Sequence, residues 1–207
     1  VEDEIDIEDL IEEEQCVFTL TRNGYLKRTP VSEYSAQSKG GMGKKGITTR
    51  EEDTVTDVFT ASTHDNLLFF TDTGKVYRKK GYQVPESGKT ARGSNIVNLI
   101  QVEPGERVQT MLHYREGSED QLFLTMVTRN GTVKRLPVET LKNLKNIGIR
   151  ALTLEEGDAL IAVKETDGSQ NILIATHDGQ AICFAEDEVR PTGRTSMGVR
   201  GIRLKDG

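Results

Sequence analysis

A chain of 207 residues, 35% apolar and 29% charged, has room for one large or two ordinary domains and enough apolar surface to bury a core. No apolar run reaches transmembrane length, and the acidic start is unlike the basic, apolar opening of a secretory signal, so neither a membrane span nor a signal peptide is expected. Cys16 and Cys183 have neither metal-ligand spacing nor the density of a disulfide framework, and a reduced, cytosolic protein is the simplest expectation.

The net charge of −6 argues against a polyanionic partner until its distribution is read. Residues 1–14 hold nine acids and no base, so the remaining chain carries +3. Within residues 22–50 the cations Arg22, Lys27, Arg28, Lys39, Lys44, Lys45 and Arg50 face Glu33 alone, a local excess of +6. Such asymmetry suits an acidic tail beside a polyanion-binding body.

Taken in order, residues 1–14 read as a flexible acidic linker, because so dense a block of like charge repels itself. Regular structure is expected from Gln15, and from there the chain repeats. Thr21-Arg22-Asn23-Gly24 recurs as Thr71-Asp72-Thr73-Gly74, Thr128-Arg129-Asn130-Gly131 and Thr176-His177-Asp178-Gly179, with the glycines 50, 57 and 48 residues apart. Each turn lies between short apolar strands, at 17–20 and 25–28, 67–70 and 76–78, 122–127 and 133–135, and 172–175 and 181–184. Asn-Gly and Asp-Gly in that setting signal hairpins, whose turns need positive φ. Acidic turns at 51–53, 103–106 and 155–158 open a further strand in each of the first three repeats, at 55–61, 107–113 and 159–164. The repeats fall at about 15–65, 66–120, 121–170 and 171–207, the last incomplete, each with about four short strands and no convincing helix. The expected fold is therefore all-β, a propeller of four-stranded blades, with separate β-domains as the alternative.

A finer pattern overlies the repeat. The first and third repeats share Leu26-Lys27-Arg28-Thr29-Pro30-Val31 and Val133-Lys134-Arg135-Leu136-Pro137-Val138. The second and fourth share Gly-[Lys/Arg]-Thr-x-x-Gly, at 88–93 and 193–198. Residues 37–46 of the first repeat occupy the corresponding place and read Gln37-Ser38-Lys39-Gly40-Gly41-Met42-Gly43-Lys44-Lys45-Gly46. Four glycines let that backbone approach another molecule closely, and three lysines with no acid suit a phosphate-bearing partner.

Other chemistry finds little support. Gly88-Lys89-Thr90 looks like the end of a P-loop, but position 83 is Gln where that motif needs glycine. His64, His113 and His177 lack ligand spacing, and no tyrosine has the acidic cluster that magnesium-assisted strand cleavage would need, so no catalytic residue, metal site or cofactor is expected. The basic residues are the more informative set: Arg22, Lys27 and Arg28; Arg78, Lys79 and Lys80; Lys134 and Arg135; then Arg194. Repeated at similar places in successive blades, they suggest a belt for double-stranded DNA. Bending a site of roughly 20–30 base pairs by about 40–90° costs on the order of 1–6 kcal/mol, which distributed phosphate contacts could offset. With no recognition helix and few aromatics for base stacking, contacts to the backbone should dominate.

From residue 9 onward the chain resembles the C-terminal domain of the bacterial DNA gyrase A subunit. The resemblance rests on 26–34 leading into Gln37, on Leu68-Phe69-Phe70-Thr71 with Gly74 and Val76-Tyr77-Arg78, and on Gly193-Arg194-Thr195 through Gly198-Val199-Arg200-Gly201-Ile202. Gln37–Gly43 stands where that family carries its signature box, Gln-Arg-Arg-Gly-Gly-Lys-Gly, with Ser38, Lys39 and Met42 replacing its three cations. The resemblance implies a β-pinwheel, usually of six blades that exchange strands, and a chain here cut short. It implies DNA wrapped with positive writhe, giving ATP-driven strand passage its direction, in a nucleoid-associated enzyme. Cleavage, magnesium and ATP use would belong to the B subunit of an A2B2 assembly together with the rest of the A subunit. A topoisomerase IV A-type subunit, which bends without wrapping, and a propeller scaffold for protein partners stay open.

Overall fold

The computed structural model describes residues 6–34, 53–144 and 148–204. Among them, regular structure is β-strand joined by 3-10 turns of three or four residues. The strands are β1 (Gln15–Thr21), β2 (Tyr25–Pro30), β3 (Val55–Ser62), β4 (Asn66–Thr71), β5 (Lys75–Lys80), β6 (Ser94–Asn95), β7 (Val108–Tyr114), β8 (Phe123–Thr128), β9 (Thr132–Pro137), β10 (Ile149–Arg150), β11 (Leu160–Thr166), β12 (Asn171–Ala175), β13 (Ala181–Ala185) and β14 (Val199–Arg200). The chain forms two compact units, Val1–Leu67 with Lys79–Gln101, and Leu68–Arg78 with Val102–Gly207.

Each repeat begins with a hairpin whose turn is built by threonine and glycine. The Thr21 carbonyl accepts the Gly24 N–H at 3.0 Å, and the Thr21 hydroxyl oxygen accepts the Tyr25 N–H at 3.1 Å. Thr128 and Thr176 repeat both bonds with Gly131 and Thr132 and with Gly179 and Gln180. Positive φ falls on the glycine alone, 83° at Gly24 and 86° at Gly131, and on no described non-glycine residue. The turn is thus a type I-like bend closed by a left-handed glycine, and not the two-residue primed turn that an Asn-Gly pair signals. An acid from the turn before the next long strand locks the bend. Asp53 accepts the N–H groups of Asn23 (3.0 Å) and Thr54 (2.9 Å), and Asp158 those of Asn130 (2.9 Å) and Ala159 (2.8 Å).

The sheets confirm the all-β, four-stranded expectation and show an exchange between repeats. Their orders are β3-β1-β2-β6, β10-β5-β4-β7 and β11-β8-β9-β14, with β12-β13 as a two-stranded sheet. In each four-stranded sheet one repeat supplies the hairpin and the long strand after it. The following repeat supplies a two-residue outer strand: β6 on β2 through Tyr25↔Asn95, β10 on β5 through Ile149↔Val76, and β14 on β9 through Val199↔Val133.

In the first unit Cys16, Phe18, Leu20, Leu26, Val84 and Ile96 are buried. In the second, Leu68, Phe70, Val76, Leu124, Met126, Leu136, Leu152 and Val163 belong to one core cluster. Each such side chain contributes about 1.5–3 kcal/mol, against about 0–1 kcal/mol for an exposed ion pair. Core packing therefore holds the fold, and surface charge is available for binding.

The acidic segment departs from the expectation of a flexible linker over residues 6–14. Ile7–Leu10 forms a 3-10 turn capped by Asp6, whose side chain accepts the Glu8 N–H at 3.2 Å. Glu14 and Thr63 exchange backbone and hydroxyl hydrogen bonds, Ser62 Oγ donates to Glu13 at 2.8 Å, and His64 Nε2 meets the Ile11 carbonyl at 2.8 Å. Like-charge repulsion is offset by these backbone bonds and by Lys80, whose Nζ stands 3.3 Å from Glu8.

Candidate nucleic-acid interface

The strand after each turn glycine carries the motif apolar-Lys-Arg or its equivalent, and the structure gives each position a distinct fate. Lys27 is 3% exposed and its ammonium donates to the carbonyls of Lys89 (2.6 Å), Ala91 (3.1 Å) and Gly88 (3.5 Å). Lys134 is 1% exposed and donates to Ala151 (2.7 Å), Ser196 (3.0 Å) and Arg194 (3.1 Å). Burial pushes the pKa of Lys27 down, and burial followed by the charge of Arg194 brings that of Lys134 to about 8. The arginine that follows also binds carbonyls of the next repeat: Arg28 that of Val84 (2.9 Å), Arg78 those of Lys142 and Leu144 (both 2.8 Å), and Arg135 that of Val189 (2.9 Å). Arg135 further lies 4.3 Å over the Phe123 ring and 3.2 Å from Glu186.

These placements correct part of the expected belt. Lys27, Lys134 and Arg135 spend their charge inside the fold, because strand exchange brings backbone carbonyls of the following repeat onto them. Arg28 and Arg78 are half-buried and held by carbonyls, Lys79 is half-buried, and Lys80 pairs with Glu8. Arg22 and Arg194 are exposed. Residues Gln37, Ser38, Lys39, Gly40, Gly41, Met42, Gly43, Lys44 and Lys45 lie outside the described residues.

Several exposed cations lie on the segments that lead to and form the outer strands, while others, Arg107, Arg129 and Lys164 among them, lie elsewhere. In the first unit the loop at 88–93 carries the half-buried Lys89, 4.4 Å over the Tyr34 ring, and the exposed Arg92, 3.5 Å over the Tyr25 ring. In the second unit the corresponding loops carry Lys142, and Arg190 and Arg194, and the outer strands themselves carry Arg150 and Arg200, all exposed. Residues 37–46 hold the equivalent sequence position in the first repeat. Lys89 and Arg92 are absent from the expected contact set; the match of Gly88-Lys89-Thr90 to Gly193-Arg194-Thr195 is the signal that points to Lys89, and Arg92, opposite Met197, has no such signal. The loop geometry is also the reverse of a P-loop, since carbonyls and not N–H groups converge on its centre.

The remaining candidates are structural. Tyr77 takes the place of the buried lysine in the second repeat, and its hydroxyl donates to Glu106 at 2.6 Å. Burial, then Glu106, push the Tyr77 pKa up. Burial would raise that of Glu106, but hydrogen bonds from Tyr77, Thr73, the Glu103 N–H and Thr71 outweigh it and leave it lowered. Among the described residues no group of three or more His, Cys, Asp or Glu could hold a metal ion, and no helix is long and apolar enough to cross a membrane.

Comparison with known proteins now places the chain. A family model described as DNA gyrase C-terminal domain, beta-propeller, matches residues 17–62, 65–113, 123–167 and 170–207. The DNA gyrase A subunit of Clostridium acetobutylicum is 45% identical over 97% of this chain, and that of Staphylococcus aureus is 44% identical over 99%. The chain spans about a quarter of the length of these relatives, 24% and 23%. A solved C-terminal domain of DNA topoisomerase IV superposes with a TM-score of 0.81 at 28% identity, covering 95% of this chain and 59% of that one. A solved DNA gyrase A C-terminal domain gives 0.70 at 26% identity, covering 94% and 62%. The same four-stranded repeat that the sequence and the sheets display is what the family model matches four times over, and the chain belongs to the DNA gyrase C-terminal domain, beta-propeller, family.

Proposed function

We propose that this chain, as the C-terminal part of a gyrase A subunit, binds and wraps double-stranded DNA and so gives direction to strand passage by a type II topoisomerase. The observation that carries the reading is the recurrence of solvent-accessible cations on equivalent segments, the loops before the outer strands and those strands themselves: Lys89 and Arg92, Lys142 and Arg150, and Arg190, Arg194 and Arg200. Identity of 44–45% to gyrase A subunits over nearly the whole chain supports gyrase over topoisomerase IV. Arg22, Lys79, Lys39, Lys44 and Lys45 complete the proposed contact set. The contacts go to phosphate, so sequence preference is weak. Strand cleavage, ATP hydrolysis and magnesium belong, on this reading, to the B subunit together with the rest of the A subunit, in a nucleoid-associated, cytoplasmic enzyme.

A second reading is favoured by two observations. The TM-score of 0.81 to a topoisomerase IV domain, together with Ser38, Lys39 and Met42 in place of the box cations, suits a domain that bends DNA without wrapping it. Both readings require phosphate contacts, which salt titration tests directly. Duplex affinity should fall steeply with salt, with a log–log slope near −0.9 for each phosphate neutralised. A flat response would contradict DNA binding and favour a scaffold for protein partners.

A further inference from the structure

We propose that Lys27 and Lys134, which the fold withdraws from the surface, are positioning residues for two phosphate-contacting loops. Each ammonium gathers the carbonyls of the Gly-[Lys/Arg]-Thr-x-x-Gly loop supplied by the following repeat and so fixes where that loop's outward-facing cations stand. The inference rests on the reading that these loops touch DNA.

Its basis is an arrangement that occurs twice in one molecule. Lys27 holds the carbonyls of Lys89 (2.6 Å) and Ala91 (3.1 Å), and Lys134 holds those of Arg194 (3.1 Å) and Ser196 (3.0 Å). These are the second and fourth residues of the motif in both loops. The third N–H of each ammonium goes to Gly88 in one case and to Ala151 in the other. A lysine suits this place because its compact head offers three donors, whereas a guanidinium is a planar fork and a thioether donates nothing.

The last glycine of each motif completes the fit. A Cβ on Gly93 would stand 2.4 Å from the Leu26 carbonyl oxygen and 2.8 Å from Lys27 Cβ. On Gly198 it would stand 2.5 Å from the Val133 oxygen and 3.0 Å from Lys134 Cβ. The loop therefore closes on the backbone of the lysine's own strand. Lysine and loop also go together: the second repeat has Tyr77 at the lysine position, and the loop that follows it, 142–150, lacks the motif. With its carbonyls turned inward, loop 88–93 presents Lys89 and Arg92 against Tyr34 and Tyr25, and loop 193–198 presents Arg194 to solvent.

The test is a salt-dependent duplex-binding series on the full chain. The double variant Lys89→Gln, Arg92→Gln reports the contacts themselves and should flatten the log–log slope by about 0.9 for each phosphate no longer neutralised. Lys27→Met should weaken affinity by a similar factor, and adding it to the double variant should cost nothing more. Gly93→Ala, which alters no charge and leaves Lys27 in place, should reproduce that weakening, while Gly88→Ala, with only the Glu33 side chain nearby at 3.9 Å, should not. Gly93→Ala keeps the inference testable where Lys27→Met fails to fold. If the double variant weakens binding but a folded Lys27→Met or Gly93→Ala binds as the parent does, the positioning role is wrong. If the double variant itself leaves affinity and slope unchanged, the loop does not touch DNA and the reading beneath the inference falls with it.

Discussion

At the scale of single residues a small set of buried polar groups adds to the core packing, the lysines and Arg135 by answering backbone carbonyls of a neighbouring repeat and Glu106 by accepting hydrogen bonds within its own. Lys134 is the clearest case, since three carbonyls converge on its ammonium. Replacing it with Met leaves those oxygens without that donor and should cost on the order of 3 kcal/mol, read as a lower urea midpoint with unchanged slope. The motif glycines should separate cleanly. Gly198→Ala forces a left-handed residue (φ 93°) against the Val133 carbonyl and should cost at least about 1–3 kcal/mol, whereas Gly193→Ala meets nothing within 4 Å and should be nearly neutral. Glu106 sets an acid limit. Its pKa in the fold lies below its ordinary 4.5, so the stability it adds is complete above that value and is lost as pH falls through the folded value. Glu106→Gln should therefore destabilise the protein by about 1–3 kcal/mol at pH 7, with the difference from the parent narrowing below pH 4.5 in pH-dependent urea unfolding.

At the scale of elements, hairpins, acidic turns and long strands were legible because each is a local pattern. Thr-x-x-Gly between apolar runs fixes β1–β2, β4–β5, β8–β9 and β12–β13 within a residue or two. The outer strands were not, because two residues such as Ser94–Asn95 carry no period of their own and pair only with a strand some 70 residues earlier. For the same reason Lys27 and Lys134 read as surface cations: nothing in Leu-Lys-Arg or Val-Lys-Arg announces that carbonyls from 60 residues further on will converge there. The acidic segment likewise read as repelling itself, whereas its backbone bonds to Thr63 and its Glu8–Lys80 pair hold residues 6–14 in place. On the proposed function, Glu8→Gln should release positive charge at Lys80 and raise duplex affinity roughly twofold at low salt, the size of an ion pair of about 0.5 kcal/mol, with no effect at high salt. Fluorescence anisotropy at two salt concentrations reads both values.

At the scale of the whole molecule, the proposed function has an acidic chain bind DNA by segregating its charge. Nine acids sit in residues 1–14, and exposed cations recur on loops and outer strands at equivalent places in successive repeats. Strand exchange ties the described loops 88–93 and 193–198 to the sheet of the preceding repeat through β6 and β14. The family and the all-β fold were both within reach of the sequence, since they rest on repeats and local motifs; which cations face outward was not, since that depends on exchange. The central claim is wrapping, and it is measured most directly by relaxing closed circular DNA with a nicking-closing enzyme in the presence of the chain and resolving the topoisomers after its removal. Wrapping with positive writhe predicts a positive shift in linking number that grows with bound chain and is reduced when Lys39, Lys44 and Lys45 are replaced by alanine. Topoisomers unchanged at saturating chain, in salt where duplex binding is established, would contradict it.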